Sequence, residues 1–424
     1  MSATTTGPAV AAAAPRVTPE RAGVGARLRA LDRPLTSYYL VLTAGLLLLG
    51  LGLVMVLSAS SVEAFRASGS VFSVARRQAV WVAAGLPLMW ITSRMPVRAF
   101  RVLAFPALLI ALAALCAVLV PGIGHEVNGN RNWIYLGGPA QVQPSEAAKL
   151  ALVLAGAHVL ARKQKLLNHW GHLVVPLVPA SAGVVGLVLA GGDLGTAIVL
   201  LAIVLALLFF SGAPMRVFAL SGFGIGVLVL MLISVTPERL SRVTSFLHPF
   251  DTYHNSGWQG AQSIFALASG GLSGVGLGAS REKWGYLPEA HTDFIFAIIG
   301  EELGLLGSLA VLALFAALGY AGFRIAARSR DAFVSIAAAA ITTWILVQAL
   351  VNIGAVLGVL PITGIPLPLV SYGGSALLPV MVALGMLLSF ARREPGAQAA
   401  LAARGPGFVR RAWSRVFTRG SRSR

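Results

Sequence analysis

SYYLVLTAGLLLLGLGLVMVLSA, residues 37–59, contains no charged side chain over 23 positions. A helix of about 20 apolar residues crosses a bilayer core of ~30 Å, so this stretch predicts a transmembrane helix. The same pattern recurs along the chain, which is 57% hydrophobic and only 11% charged. Soluble domains carry about 25% charged residues. The composition therefore excludes a soluble globular protein and predicts an integral membrane protein.

Ten such windows predict an all-α fold with about ten transmembrane helices. A Gly-rich, more polar loop over 237–290 separates the seventh window from the eighth. This layout divides the chain into a disordered basic arm (1–36), a ten-helix domain (37–391) and a basic tail (392–424). The windows are 37–59, 76–94, 99–120, 145–161, 171–190, 195–212, 216–236, 292–320, 333–358 and 375–391.

The distribution of positive charge predicts the orientation. The net charge of +18 comes from 33 Lys and Arg against 15 Asp and Glu. With ten helices, 24 of these cations lie on the side of both termini, eight lie on the other side, and Lys149 falls within a span. Because cytoplasmic loops are enriched in Lys and Arg, both termini are predicted to be cytoplasmic and the 237–290 loop extracytoplasmic. Topology and attraction to anionic lipid explain the basic excess, so no nucleic-acid partner is expected.

Ionisable residues interrupt the apolar pattern near the predicted outer ends of the spans. The motif QPSEAAK predicts a helix start, with Ser145 as N-cap and Glu146 in the first turn, where the helix dipole favours an acid. Lys149 follows one turn later and can pair with Glu146. An ion pair inside a span is a functional candidate, and first-turn stabilisation is the alternative explanation for Glu146.

Two further motifs break the helical pattern. GGDLGT places Asp193 between two apolar runs, where it either caps a helix or faces a cavity. PITGIPLPLVSYGGS (361–375) contains three prolines and cannot be a regular helix. Non-helical backbone at membrane depth is tolerated where it lines a cavity or is covered by protein. Ser371 and Tyr372 offer hydroxyl groups in this segment.

The motif HTDFIF lies at the start of the eighth predicted window. Thr292 or Asp293 is a candidate cap for this helix. Asp293 is also shallow enough to meet a substrate at the membrane surface, close to His291 and Glu289. Capping and substrate contact therefore remain alternative explanations for this carboxylate.

Two glutamates lie deeper in the same span. At 1.5 Å per residue, Glu301 lies ~12 Å from Asp293 along the helix axis. The two side chains point about 80° apart around the helix, and Glu302 lies on the far side from Asp293. The three carboxylates cannot share one pocket. Glu301 and Glu302 are predicted to bind polar groups of neighbouring helices or a water-filled cavity.

Five motifs in order resemble the SEDS family (shape, elongation, division and sporulation) of FtsW/RodA peptidoglycan polymerases. They are NGNRNWI, QPSEAAKL, DLGTA, LPEAHTDFIFAIIGEELG and GIPLPLVSYGGSAL, which together span positions 128–377. VMVLSASSVEAF is more similar to the FtsW-like division branch, whereas PITGIPLP is shared with the RodA-like branch. The chain departs from common family patterns at Thr363, where many division members have Lys, and at Asn132, where Arg is common.

The resemblance implies a processive glycosyltransferase that joins lipid II into β-1,4-linked glycan with inversion and releases undecaprenyl diphosphate. The family's essential acid maps to Asp293, which would act as the general base. Arg131 and Lys149, or a divalent ion held by acids such as Asp193, would assist the diphosphate. Candidate substrate-binding residues are Arg131, Trp133, Glu146, Lys149, Asp193, Glu289, His291 and Ser371.

The resemblance also implies the surroundings of the protein. The expected location is the bacterial plasma membrane, with the active site outside and, for a division-branch protein, at the septum. Expected partners are a class B penicillin-binding protein transpeptidase and other division proteins. The cofactor is left open between none and a divalent cation, Mg²⁺ or Mn²⁺. A lipid II flippase, a division scaffold and an elongation-type polymerase are the alternative functions.

Overall fold

The structure is a computed structural model that describes residues 33–127, 129–135, 137, 141–164, 170–235, 246, 249–254 and 257–403. Most of the predicted arm (1–36), much of the tail (392–424) and parts of the 237–290 loop lie outside the described residues. The described helices are α1 (Thr36–Ser68), α2 (Ser73–Arg94), α3 (Val97–Leu119), α4 (Pro144–Arg162), α5 (Trp170–Ala190), α6 (Leu194–Phe210), α7 (Met215–Val235), α8 (Trp258–Gly270), α9 (Ile295–Arg328), α10 (Ala332–Val356), α11 (Leu377–Ala391) and α12 (Ala397–Ala403).

Ten of these helices coincide with the ten predicted windows, and the others are α8 and α12. By length and composition alone, five described segments can cross a membrane: α1, α3, α9, α10 and the stretch Gly374–Ala391 that contains α11. Shorter apolar helices occur within α5, α6 and α7. The prediction of an all-α, multi-pass membrane protein is confirmed.

The core forms around α10 and α11. Helix α10 contacts α4, α6, α9 and α11, and α11 also packs along α2. Trp344 of α10 is fully buried. Exposed apolar side chains lie instead on peripheral helices, as with Val102 and Leu109 on α3 and Phe223 on α7. This is the distribution expected where lipid, rather than water, surrounds the bundle.

A small antiparallel sheet was not predicted from the sequence. Its strands are β1 (Gly124–Val127), β2 (Asn130–Tyr135) and β3 (Gln141–Val142), paired in the order β1-β2-β3. The Asn-Gly pair at 128–129 is a strong hairpin signal in the sequence. The sheet lies between α3 and α4 in the chain, in a connection for which the sequence analysis assigned no regular structure.

Helix α9 is interrupted at Gly304, whose φ is 67° and ψ −163°. The loop after α8 takes over the hydrogen bonds that the helix would make here. The amides of Leu305 and Leu306 donate to the backbone oxygens of Gly271 and Leu272. The backbone oxygens of Glu301 and Glu302 accept from the amides of residues 275 and 276. A side chain at position 304 would collide with this loop, because a built Cβ lies 2.3 Å from the nitrogen of residue 274.

The helix directions define two faces of the bundle. The site face carries the β-sheet, the start of α4, the loop before α9 and the segment 357–376 that joins α10 to α11. The basic face carries the start of α3, the end of α4 and the turn between α9 and α10. The 24-to-8 charge bias predicts that the basic face is cytoplasmic, and this orientation stays a prediction.

Candidate active site

Asp293 lies on the site face, just ahead of α9. The helix begins at Ile295 with Phe294 at the N-cap position, and the side chain of Phe294 makes no capping hydrogen bond. Neither Thr292 nor Asp293 occupies the N-cap position that the sequence predicted for one of them. Oγ1 of Thr292 instead donates to the carboxylate of Glu289 at 2.6 Å. Asp293, one residue before the N-cap position, is half-buried.

The backbone of Asp293 is held by α10 and by the 357–376 segment. Nδ2 of Asn352 donates to the backbone oxygen of Asp293 at 2.7 Å and to that of Ile365 at 2.8 Å. Gly364, with φ 70°, passes so close that a Cβ built there would lie 3.6 Å from Oδ2 of Asp293. One amide side chain therefore ties Asp293 to the turn at Gly364.

The predicted non-helical segment around Ser371 is confirmed and is mostly covered by protein. Ser371 is 4% exposed. Its Oγ donates to the backbone oxygen of Thr292 at 2.6 Å and accepts from the amide of Leu367 at 2.8 Å. The amide of Tyr372 donates to the backbone oxygen of His291 at 3.0 Å. Ser371 therefore holds this segment against the loop that carries Asp293.

Lys149 and Glu146 form the predicted ion pair beneath this segment. Their side chains are 0% and 2% exposed, and Nζ lies 2.7 Å from Oε1 of Glu146. Nζ also donates to Oε1 of Gln348 at 2.8 Å, and Nε2 of Gln348 donates to the backbone oxygen of Pro366 at 3.1 Å. Trp344 donates to the same Gln348 oxygen at 2.9 Å. This burial favours support of the non-helical segment over direct substrate contact for both charged residues.

The start of α4 differs from the prediction. The helix begins at Pro144, with Gln143 at the N-cap position and no side-chain cap, so Ser145 is not the cap. Proline fits the first helical position because its missing N–H has no partner there anyway. Glu146 lies in the first turn, as predicted.

Asp193 caps α6. Its Oδ1 accepts from the amide of Thr196 at 2.8 Å, and its Oδ2 accepts from Nε2 of Gln143 at 3.3 Å. The start of α6 touches the non-helical segment, because a Cβ built on Gly195 would lie 2.5 Å from the backbone oxygen of Thr363. Asp193 and Asp293 thus flank the same stretch of chain around residues 363–365.

Two substitutions of Asp193 distinguish its role as a helix cap from the effect of its negative charge. Asp193→Ala is expected to lower the free energy of unfolding by about 1 kcal/mol, because the first turn of α6 loses its side-chain acceptor. The free energy of unfolding of Asp193→Asn should lie within about a few tenths of a kcal/mol of the parent value, since Asn caps about as well as Asp. Thermal unfolding of the three proteins in one detergent measures this. Equal losses in both variants would contradict the capping role.

The β-sheet brings Arg131 and Trp133 to the same face. The amide of Arg131 donates to the backbone oxygen of Gly191 at 2.9 Å. Asn132 packs so tightly here that a Cβ built on Gly191 would lie 2.4 Å from its Oδ1. Arg131 and Trp133 are half-buried in β2. The sheet therefore places a cation next to the turn that leads into Asp193.

His291 meets the end of α1. Its Nδ1 lies 3.3 Å from Oε2 of Glu63, and its side chain is 12% exposed. The ring also stands 5.6 Å from that of Tyr372. Glu289 is exposed and adopts a positive φ of 56°, an unusual backbone for a residue with a side chain. His291 and Glu289 thus border the loop that carries Asp293 on its open side.

Glu301 and Glu302 face away from Asp293 and bind the loop after α8. Oε2 of Glu301 accepts from Oγ of Ser280 at 2.5 Å, and its Oε1 accepts from the amide of Arg281 at 2.8 Å. Glu302 accepts from Oγ of Ser58 at 2.7 Å and lies 3.4 Å from Nζ of Lys283. The prediction of polar packing for both residues is confirmed. Burial, then the charge of Glu301, raise the pKa of the nearby Glu282 to about 7.

Within the part of the chain that the structure describes, no three His, Cys, Asp or Glu side chains lie close enough to hold an ion. Mg²⁺ is often held by one or two carboxylates together with substrate phosphates. A divalent ion held by acids such as Asp193, beside the diphosphate of a substrate, therefore stays a prediction.

Three supporting residues were missed in the sequence analysis: Asn352, Gln348 and Glu63. The first two are polar residues inside the apolar α10 and lie four positions apart, on one helix face. Polar residues at this spacing within a span were a usable signal. Glu63 lies beyond the apolar window of α1, and only the tertiary fold brings it to His291.

Known proteins share this sequence and architecture. The family profile described as Cell cycle protein (FtsW, RodA, SpoVE) matches residues 38–395. The probable peptidoglycan glycosyltransferase FtsW of Mycobacterium tuberculosis is 44% identical over 373 residues, which cover 88% of this chain and 71% of that protein. The chain belongs to the FtsW/RodA/SpoVE family.

Solved structures of related proteins have the same fold. One is a chain of a peptidoglycan synthase complex, described as coordinating polymerization and crosslinking. It is 30% identical with a TM-score of 0.69, over 83% of this chain and 96% of that one. The rod shape determining protein RodA of Thermus thermophilus is 29% identical with a TM-score of 0.62, over 83% of this chain and 96% of that one.

Proposed function

We infer that this chain is a peptidoglycan glycosyltransferase that polymerises lipid II and acts in cell division. The observation that carries this function is the placement of Asp293. Its half-buried carboxylate lies beside the backbone of Gly364, in a loop held by Asn352 and Ser371. Such fixed placement is what a general base requires, because a catalytic group tolerates only ~0.5 Å of displacement.

In the proposed reaction, the carboxylate of Asp293 takes the proton of the 4-hydroxyl of the acceptor GlcNAc. The hydroxyl oxygen attacks the anomeric carbon of the donor MurNAc, and the bond from that carbon to the diphosphate breaks. Undecaprenyl diphosphate leaves, and the α-linked donor becomes a β-1,4 link by inversion. General-base assistance contributes about 10²–10⁴-fold to such a step.

The leaving diphosphate needs positive charge near it. Arg131 is the better placed of the two proposed cations, because it is half-buried on the site face, whereas Lys149 is fully buried and paired with Glu146. We propose that Lys149 acts indirectly, through Gln348 and the backbone of the non-helical segment. Trp133, Glu289 and His291 border the same face and are proposed to contact substrate.

The assay for this function uses the purified full chain with fluorescently labelled lipid II. Glycan polymer longer than the starting disaccharide supports a glycosyltransferase. In liposomes, redistribution of lipid II between leaflets without polymer would identify a flippase instead. A flippase needs polar groups through the whole membrane depth, but the buried network described above lies toward the site face, which favours the enzyme.

A transpeptidase partner is proposed on the likeness to the peptidoglycan synthase complex, in which polymerization and crosslinking are coordinated. A class B penicillin-binding protein has the chemistry to crosslink the strands that this chain makes. The 44% identity to an FtsW supports the division branch over a RodA-like elongation role, and hence a septal location together with other division proteins. Co-purification of the transpeptidase with the full chain tests the pairing.

The orientation is tested with reporters on the two faces. A reporter fused after Arg424 is expected to be cytoplasmic, and one inserted after Ser256 extracytoplasmic, because 24 of the 33 cations lie on the side of the termini. Paired alkaline phosphatase and fluorescent protein fusions measure the two positions. Finding both reporters on one side would refute the ten-helix orientation and, with it, the extracytoplasmic active site.

A further inference from the structure

A basic cleft opens on the face opposite to Asp293. It has a volume of about 600 Å³ and lies between α3, the end of α4 and the start of α10. We call it the basic cleft, and its polar lining consists of Arg98, Arg101, Arg162, His158 and Asp331. A neighbouring cavity of about 780 Å³ shares three of these residues and adds Arg328, Arg330 and Arg393.

The charges in the basic cleft are not balanced. Asp331 pairs with Arg101 at 2.6 Å and also caps α10 by accepting from the amide of Phe333 at 3.0 Å. Among the described residues, neither Arg98 nor Arg162 makes an ion pair, and both side chains are exposed. The cleft therefore holds three guanidinium groups against one carboxylate. An anion with several acceptor oxygens, such as a phosphate, matches this arrangement.

One wall of the basic cleft continues into an exposed apolar strip. Val102 and Phe105 line the cleft and are 74% and 47% exposed, and Leu109 extends the strip along α3 at 66% exposed. Their spacing of three and four residues places them on one face of the helix. The rings of Phe105 and His158 meet edge to face, with centroids 5.5 Å apart. The site thus combines a cationic pocket with a surface suited to an acyl chain.

We propose that the basic cleft binds the phosphate headgroup of an anionic glycerophospholipid, with an acyl chain along α3. Basic pockets between transmembrane helices are suited to such headgroups. The apolar strip favours a lipid as the occupant, because an acyl chain would cover the strip and a soluble phosphate would make no contact with it. The cleft is distinct from the candidate active site, because α4 separates the two by its 19 residues, about 28 Å.

The test measures lipid retained by the purified full chain. The protein is mixed in detergent with phosphatidylglycerol and phosphatidylcholine of identical acyl chains, and bound lipid is counted by native mass spectrometry. The parent protein is expected to retain phosphatidylglycerol at least ~10-fold over phosphatidylcholine, which corresponds to ~1.4 kcal/mol. Arg98→Gln combined with Arg162→Gln should abolish the preference. Arg216→Gln, an exposed arginine at the start of α7 outside the cleft, is the matched control and should retain it.

Each outcome decides for or against the cleft. Equal retention of the two lipids by the parent protein, or an undiminished preference in the double variant, overturns the proposal. Complete displacement of bound phosphatidylglycerol by millimolar inorganic phosphate would show that the cleft prefers a soluble phosphate to the lipid, which also overturns the proposal. If the double variant does not accumulate, the single Arg98→Gln variant serves, because this exposed side chain has no ion pair among the described residues to lose. The Arg98→Gln variant should show a reduced preference for phosphatidylglycerol, and an unchanged preference would overturn the proposal.

Discussion

Asp293→Asn is expected to abolish lipid II polymerisation while the protein still folds and inserts. Asparagine keeps the size of the side chain but cannot accept the proton, so the rate should fall by about 10²–10⁴-fold. Folding should survive because Asn352 binds the backbone oxygen of Asp293, which the substitution keeps. The measurement is glycan formation from labelled lipid II, normalised to folded protein by size-exclusion chromatography.

Two further variants sharpen this result. Asp293→Glu should restore little activity, because one added methylene moves the carboxylate beyond the ~0.5 Å tolerance of a catalytic group. Asp251→Asn removes an exposed carboxylate from the connection between α7 and α8 and should polymerise at the parent rate. A folded Asn variant with near-parent activity would exclude Asp293 as the base. The base would then be sought at Glu289 or Asp193, since Glu146 is buried in its ion pair.

Lys149→Ala is expected to destabilise the protein by about 3–5 kcal/mol, the cost of leaving one member of a buried ion pair without its partner. The carboxylate of Glu146 and the amide oxygen of Gln348 would both lose a donor. The expected result is a large drop in the thermal unfolding midpoint, or poor accumulation in the membrane. Polymerisation should fall with it, since Gln348 holds the backbone at Pro366.

The chain offers a control and a rescue for this experiment. Lys163→Ala, just after the same helix, removes a cation with no ion pair among the described residues and should leave the midpoint nearly unchanged. Glu146→Gln combined with Lys149→Met should recover much of the loss, because replacing both charges leaves no unpaired ion. A parent-like midpoint for Lys149→Ala would show that the pair contributes little.

The helices could be predicted because the length and hydropathy of a span can be read from its own residues. A membrane helix makes its backbone hydrogen bonds within its own segment, so its position does not depend on distant parts of the chain. The three prolines likewise predicted the non-helical segment 361–375. Errors arose at helix starts. Ser145 and Thr292 are both good caps by residue type, yet α4 begins at Pro144 and α9 begins at Ile295, while Thr292 bonds to Glu289.

The arrangement of the candidate site could be predicted only in part. Asp193, Asp293 and Ser371 were each singled out, but nothing local shows that residues 363–365 lie between the two acids. That placement depends on Asn352, which binds two backbone oxygens from parts of the chain 59 and 13 residues away. Contacts over such sequence separations form only when the helices pack, so single-sequence patterns do not contain them.

The interruption of α9 at Gly304 has a mechanical consequence for Asp293. The short helical piece before the interruption shares its backbone hydrogen bonds with the loop around residues 271–276, where an unbroken helix would bond to its own next turn. Glu301 and Glu302 fasten the same piece to Ser280 and its neighbours. The helical piece that follows Asp293 is therefore bonded to this loop on one side, while Asn352 and Ser371 hold the backbone around Asp293 on the other. A substitution that displaced the loop would consequently disturb the start of α9 before it disturbed the long part of the helix beyond Gly304.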